Sequence, residues 1–163
     1  MPSNNKPSVG AVALALTLML GAAGAIAQQR LPYGTAINNE QARKVGTMAL
    51  AEARKNNWNV AVAVVDNHGA LVYYEMLDDT QTSSPVIAVE KARTAAMFRR
   101  PTKEFEDGVA GGRNAILGLP GATPIEGGIP IVVGGKIIGA VGVSGVSSPQ
   151  DAQIARAGLE AVK

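Results

Sequence analysis

The 163-residue chain contains no cysteine and one histidine, His68. The first absence excludes disulfides, thiolate nucleophiles, zinc knuckles, iron–sulfur clusters and a lipid-modified cysteine. The second excludes every metal site built from two or three imidazoles, including the zinc proteases and the facial-triad iron enzymes. Aromatic side chains make up only 4% of the chain, which leaves few stacking platforms for single-stranded nucleic acid. Charge is nearly balanced, with 15 Lys plus Arg against 13 Asp plus Glu. No strongly basic surface is available to neutralise a phosphate backbone, and a nucleic-acid partner is not expected. Apolar residues, by contrast, are plentiful: at 47% hydrophobic the chain can build the core of one ordinary domain.

Residues 1–8 are polar with a single cation, Lys6, and from Val9 the chain is apolar up to Ala25-Ile26-Ala27. Small residues at 25 and 27 followed by Gln28-Gln29-Arg30 fit a secretory signal peptide cleaved after Ala27. The same stretch is just long enough to span a bilayer, but its Ala and Gly content makes it a poor permanent anchor. The expected organisation is a signal peptide at 1–27, a linker at 28–35 and a folded domain at 36–163. Such a protein is periplasmic or secreted, with no membrane attachment after cleavage. Without cysteine it must hold together by its core alone.

Along the mature chain, Asn38 or Asn39 can cap a helix whose apolar residues Ala42, Val45, Ala49 and Ala53 recur at helical spacing, ending near Asn56-Asn57. Val60–Val65 and Ala70–Met76 flank the turn Asp66-Asn67-His68-Gly69 and predict a β-hairpin. Ser84-Pro85 starts a second helix that Pro101 stops, and Thr102 can cap a short third one ending about Gly111. Glycine then punctuates β-branched runs rather than forming a flexible tract. Strands are predicted at 123–126, 128–133 and 136–144, the last two joined by Gly134-Gly135. Ser148-Pro149-Gln150-Asp151 opens a terminal helix, with Asp151 read as the capping-box acid. Hairpin connections make the sheet antiparallel with helices packed on it, an α+β domain.

The order of three motifs carries a resemblance. Val-Ala-Val-Val-Asp66-x-x-Gly69 is followed by Lys91-Ala-x-Thr94-Ala-x-x-Phe98-x-x-Pro101-Thr102. Then come Gly127-Gly128-Ile-Pro130-Ile and Gly139-x-x-Gly142-Val-Ser144-Gly145 with Asp151. In this the chain resembles the GlcG/HbpS family, related to the C-terminal domain of PduO-type proteins, over nearly all of its mature length. The resemblance implies a profilin-like arrangement of α/β/α layers around a five-stranded antiparallel sheet, assembly into homo-oligomers and, in several members, binding of haem or another tetrapyrrole. It does not by itself settle an activity.

If haem is the cofactor, its iron needs an axial donor. His68 is the only imidazole, with Met48, Met76, Met97, Tyr33, Tyr73 and Tyr74 as weaker choices. The turn around His68 also suits a solvated side chain, and its position is not part of the family pattern. Lys91 and Thr94 share a helix face, with Thr102 where the chain turns, so they can meet a carboxylate together with the backbone amides of Gly127-Gly128. The alternative for Lys91 is a structural ion pair, to Asp66 or Glu126. Arg99, Arg100 and Lys103 form a basic corner that helix-end electrostatics alone would favour as a solvated face. Ser144 lacks the spacing of a nucleophile elbow, Gly134-Gly135-Lys136 that of a phosphate loop, and Asp78-Asp79 reads as a solvated loop. No catalytic residue is assigned. Two functions follow: an extracytoplasmic small-ligand-binding protein, for haem sequestration or sensing, or an enzyme or accessory protein acting on a small organic acid in a catabolic pathway. Ala-rich stripes such as Ala88, Ala92, Ala95 and Ala96 bury little area each, so self-association is expected to supply the rest.

Overall fold

The computed structural model describes residues 30–163. The expected signal peptide at 1–27 lies outside them. Helix α1 (Asn39–Lys55) begins at a complete capping box: the Asn38 side chain accepts the Gln41 N–H at 2.9 Å, and the Gln41 side chain accepts the Asn38 N–H at 3.2 Å. Each of these bonds satisfies a donor that the first helical turn would otherwise leave unpaired. Strands β1 (Ala61–Asp66) and β2 (Leu71–Met76) form the expected hairpin. In its turn the Asp66 carboxylate accepts the N–H groups of His68 (2.8 Å) and Ala70 (2.9 Å), and Gly69 takes φ +87°. After α2 (Ser84–Phe98) come α3 (Lys103–Ala110), a 3-10 turn at Asn114–Gly118, the hairpin β3 (Gly128–Val133) with β4 (Lys136–Ser144), and α4 (Ser148–Leu159), which ends in a 3-10 turn at Glu160–Val162.

The sheet is antiparallel in the order β2-β1-β4-β3. It has four strands among the described residues, where five were expected. The strand predicted at 123–126 is a loop, because its donors are used elsewhere. Thr123 N–H goes to the Thr94 hydroxyl (2.9 Å), Ile125 N–H to the Thr123 carbonyl (2.9 Å) and Glu126 N–H to the Glu106 carboxylate, while Pro124 has no N–H. Residues 32–34, expected as linker, run beside β4. The Ile137 N–H donates to the Pro32 carbonyl (2.9 Å), and the Gly34 N–H to the Ile137 carbonyl (2.8 Å).

Strand alternation sorts the core into two layers. Val60, Val62, Val64, Val141 and Val143 face α1 and α4, joining Val45, Ala49, Leu50, Ile154 and Ala155. Ala61, Ala63, Val65 and Ala140 face the small residues Ala88, Ala92, Ala95 and Ala96 of α2. The alternation along β4 holds from Gly139 to Ser144; Ile138 instead packs with Ile37 in the α1/α4 layer, near the register shift in the β3–β4 pairing. The result is helices on both faces of one sheet, with α2 lying close because alanine and glycine line its contact. No helix among the described residues is long and apolar enough to cross a membrane.

Candidate functional site

Four of the six residues singled out from the sequence, Lys91, Thr102, Gly127 and Gly128, meet near the end of β4 where Val143 pairs with Val62, and Thr94 lies one helical turn on from Lys91. Lys91 on α2 is 1% exposed; its ammonium donates to the Asp151 carboxylate at 2.8 Å and to the Val143 carbonyl at 3.0 Å. Asp151 belongs to α4 in the other helical layer, so this pair ties the two layers together past the sheet. Asp151 also accepts the Val146 N–H at 3.2 Å. Burial pushes its carboxyl above the usual carboxylate range, against the opposing pull of the Lys91 charge and of the Val146 and Gly145 amides. The capping box of α4 is formed instead by Ser147 and Gln150. The partner of Lys91 is therefore Asp151, in place of the Asp66 or Glu126 expected, and Asp151 is not the capping acid.

The two threonines are tied into the same framework. Thr94 Oγ donates to the Gly121 carbonyl (3.1 Å) and accepts from Thr123 N–H, pinning the 121–123 loop to α2. Thr102 Oγ accepts the Gly128 N–H at 3.0 Å, and the Thr102 N–H donates to the Gly128 carbonyl at 3.0 Å. Gly127 has φ +130°, and a Cβ there would lie 2.8 Å from Lys91 Nζ; one on Gly128 would lie 2.2 Å from the Lys91 carbonyl oxygen. Both positions need glycine for packing. Two of the three Lys91 N–H donors are thus committed internally, and Lys91, Thr94 and Thr102 are buried away from any outside ligand.

His68 is apart from this cluster. It is exposed in the β1–β2 turn, beyond Asp66, which is four residues along β1 from Val62. At about 3.3 Å per residue that is about 13 Å of strand. Among the described residues, no three His, Asp or Glu side chains form a group able to hold a metal ion.

Open, chemically equipped surface occurs instead beside β3, the free edge of the sheet. A groove of about 310 Å³ lies between the N-terminal segment, β3 and the α2–α3 corner. Its apolar surface comes from Leu31, Pro101, Ile129, Pro130, Val132 and Ile137, and its charge from Arg30, Arg99, Arg100 and Glu104. Arg30 and Arg100 approach the same Glu104 oxygen, at 3.2 and 3.8 Å. Arg99 makes no ion pair among the described residues; its guanidinium lies 5.5 Å from the centre of the Tyr33 ring. Arg100 stacks on Phe105 at 4.8 Å, and burial, together with the nearby charges of Arg30 and Arg113, lowers its affinity for its proton. One carboxylate therefore serves two of the three guanidinium groups, and Arg99 has none among the described residues. A second groove of about 340 Å³ shares Pro101, Glu104 and Ile129 with the first and is floored by Gly127 and Gly128. Its walls mix Lys103 and Arg156 with Asp107 and Glu126.

In the sequence Arg99, Arg100 and Lys103 look like a solvated corner, and nothing local links them to Arg30. The arrival of Arg30 depends on the return of residues 30–34 along β4, a tertiary contact with no periodic signature.

A family model described as "Haem degrading protein HbpS-like" matches residues 37–160. The chain belongs to this family. Within the HbpS-like family it is 46% identical over 108 residues to Protein GlcG of Escherichia coli (strain K12), a match covering 66% of this chain and 81% of GlcG. The crystal structure of an HbpS double mutant from Streptomyces reticuli superposes with a TM-score of 0.74 at 31% identity, covering 82% of this chain and 91% of that one. The crystal structure of a PduOC:haem complex superposes with a TM-score of 0.72 at 27% identity, covering 79% of this chain and 96% of that one.

Proposed function

We propose that this HbpS-like chain is an extracytoplasmic binding protein for haem or a related tetrapyrrole, acting in sequestration or sensing, and that the β3-edge groove is its site. The observation that carries this reading is the pairing of an apolar surface with three guanidinium groups, only two of which share a carboxylate. A tetrapyrrole has the complementary make-up: a flat apolar macrocycle with carboxylates along one edge. Arginine holds carboxylates through paired, charge-assisted hydrogen bonds. The haem-complexed PduOC relative supports the choice of ligand. A small organic acid would use the guanidinium groups but leave the apolar surface uncovered, so the tetrapyrrole is the better match. The signal-peptide pattern of residues 1–27 supports the extracytoplasmic location.

The chemistry of the lining matches an apolar ring that carries carboxylates on one edge. Among the described residues the groove lining contains no imidazole, thioether or phenol, and His68 is not part of it. When bound, haem would bring redox-active iron to the groove; the protein's part is to seat the ring and hold its charged edge.

Absorbance titration of the mature protein with hemin tests the reading. A saturable Soret shift at micromolar protein is expected, with at least about tenfold weaker binding when Arg99 and Arg100 are both changed to Glu. The absence of a saturable shift would overturn it.

A further inference from the structure

We propose that the groove recognises its ligand by carboxylates and not by metal, and that Glu104 is a built-in carboxylate competitor that sets the affinity. This rests on the tetrapyrrole reading above and narrows it to a class: planar apolar dianions, with or without iron.

Glu104 lies in the first turn of α3, and one of its oxygens, Oε2, faces both Arg30 and Arg100. An incoming carboxylate that engages either guanidinium must share it with Glu104 or displace Glu104 from it. Glu104 is mounted on the protein and its side chain is about two-fifths exposed. It can therefore turn away into water when a ligand arrives, at a cost limited to that of a partly solvated ion pair. Arg99 faces no such competitor among the described residues, being held only over the Tyr33 ring. The groove thus offers one free guanidinium and two that are internally screened. With no axial donor in the lining, removing iron from the ligand takes away no bond that these residues make.

The test compares hemin, metal-free protoporphyrin IX and protoporphyrin IX dimethyl ester, followed by absorbance and tryptophan quenching, on the wild-type mature protein and on Glu104→Gln. Hemin and protoporphyrin IX should bind within about threefold of each other, and the diester at least about tenfold more weakly than the diacid, having lost the charge-assisted bonds. Glu104→Gln should tighten both acids by up to about fivefold and leave the diester unchanged. Arg30→Gln should weaken the acids, which gives a variant of opposite sign, and the ester comparison needs no variant at all. Binding of hemin with protoporphyrin IX more than about tenfold weaker, or a diester as tight as the diacid, overturns recognition by carboxylate while leaving haem binding intact. A folded Glu104→Gln protein with unchanged affinity for the acids overturns the competitor role. If neither hemin nor protoporphyrin IX binds, the tetrapyrrole reading falls and takes this inference with it.

Discussion

Lys91 and Asp151 face each other with their side chains only 2% and 3% exposed, so neither can turn to water if the other is removed. Loss of one partner from a buried pair leaves an uncompensated charge and costs about 3–5 kcal/mol. Lys91→Met is expected to destabilise the protein by that amount in urea unfolding, and Lys91→Met with Asp151→Leu to recover most of it. A double variant no more stable than the single one would show that the pair does more than balance charge. Tyr73 gives a different residue-level expectation. Its hydroxyl bonds to Glu75, and burial first, then the Glu75 carboxylate, pushes the phenol up to about 12. In the unfolded chain a tyrosine ionises near about 10. Between those values the unfolded chain has lost a proton that the folded one keeps, so stability falls as pH rises through the interval. Unfolding free energies measured across it should fall less steeply for Tyr73→Phe than for the wild type; parallel curves would disprove the assignment.

At the scale of the elements, the closeness of α2 to the sheet is the most demanding contact. A Cβ on Gly142 of β4 would lie 2.1 Å from the Ala88 carbonyl oxygen and 2.5 Å from the Ala92 nitrogen, both backbone atoms that cannot rotate away. Gly142→Ala is expected to cost about 1–3 kcal/mol by overpacking, read as a lower denaturant midpoint. Unchanged stability would mean that α2 can shift outward freely. This contact also explains what the sequence could and could not disclose. Helices α1, α2, α3 and α4 and the two hairpins were legible because caps, prolines, turn glycines and apolar periods are local signals. The loop at 123–126 was not, since its Ile and Thr look strand-like and the tertiary partners Thr94 and Glu106 take the N–H groups of Thr123 and Glu126. The nearness of Lys91, Thr102, Gly127 and Gly128, with Thr94 a turn along from Lys91, was legible, but their burial was not. A lysine on an amphipathic helix looks the same in sequence whether its ammonium ends in water or against Asp151.

For the whole molecule, the Ala-lined layer leaves large apolar side chains outside. Leu71, Tyr74 and Val86 are 48%, 39% and 67% exposed and line one shallow depression of about 350 Å³ between β2 and α2. Together with the unpaired edge of β2, this face is suited to covering by a second copy of the chain. Self-association is the expected outcome, read by light scattering across a dilution series. Val86→Lys together with Leu71→Glu should shift the mass toward that of one chain, and a wild-type protein that is monomeric at tens of micromolar would refute the expectation. The opposite edge of the sheet has a practical consequence. Arg30 and Leu31 form one rim of the groove proposed to take the ligand, and the backbone at residues 32–34 is laced to Ile137. An affinity tag fused directly ahead of Gln28 would be tethered within three residues of that rim, and an acidic tag would bring its own carboxylates to Arg30. Purification handles for ligand screening therefore belong after Lys163, and a titration that succeeds with a C-terminal tag but fails with an N-terminal one would itself report where the ligand sits.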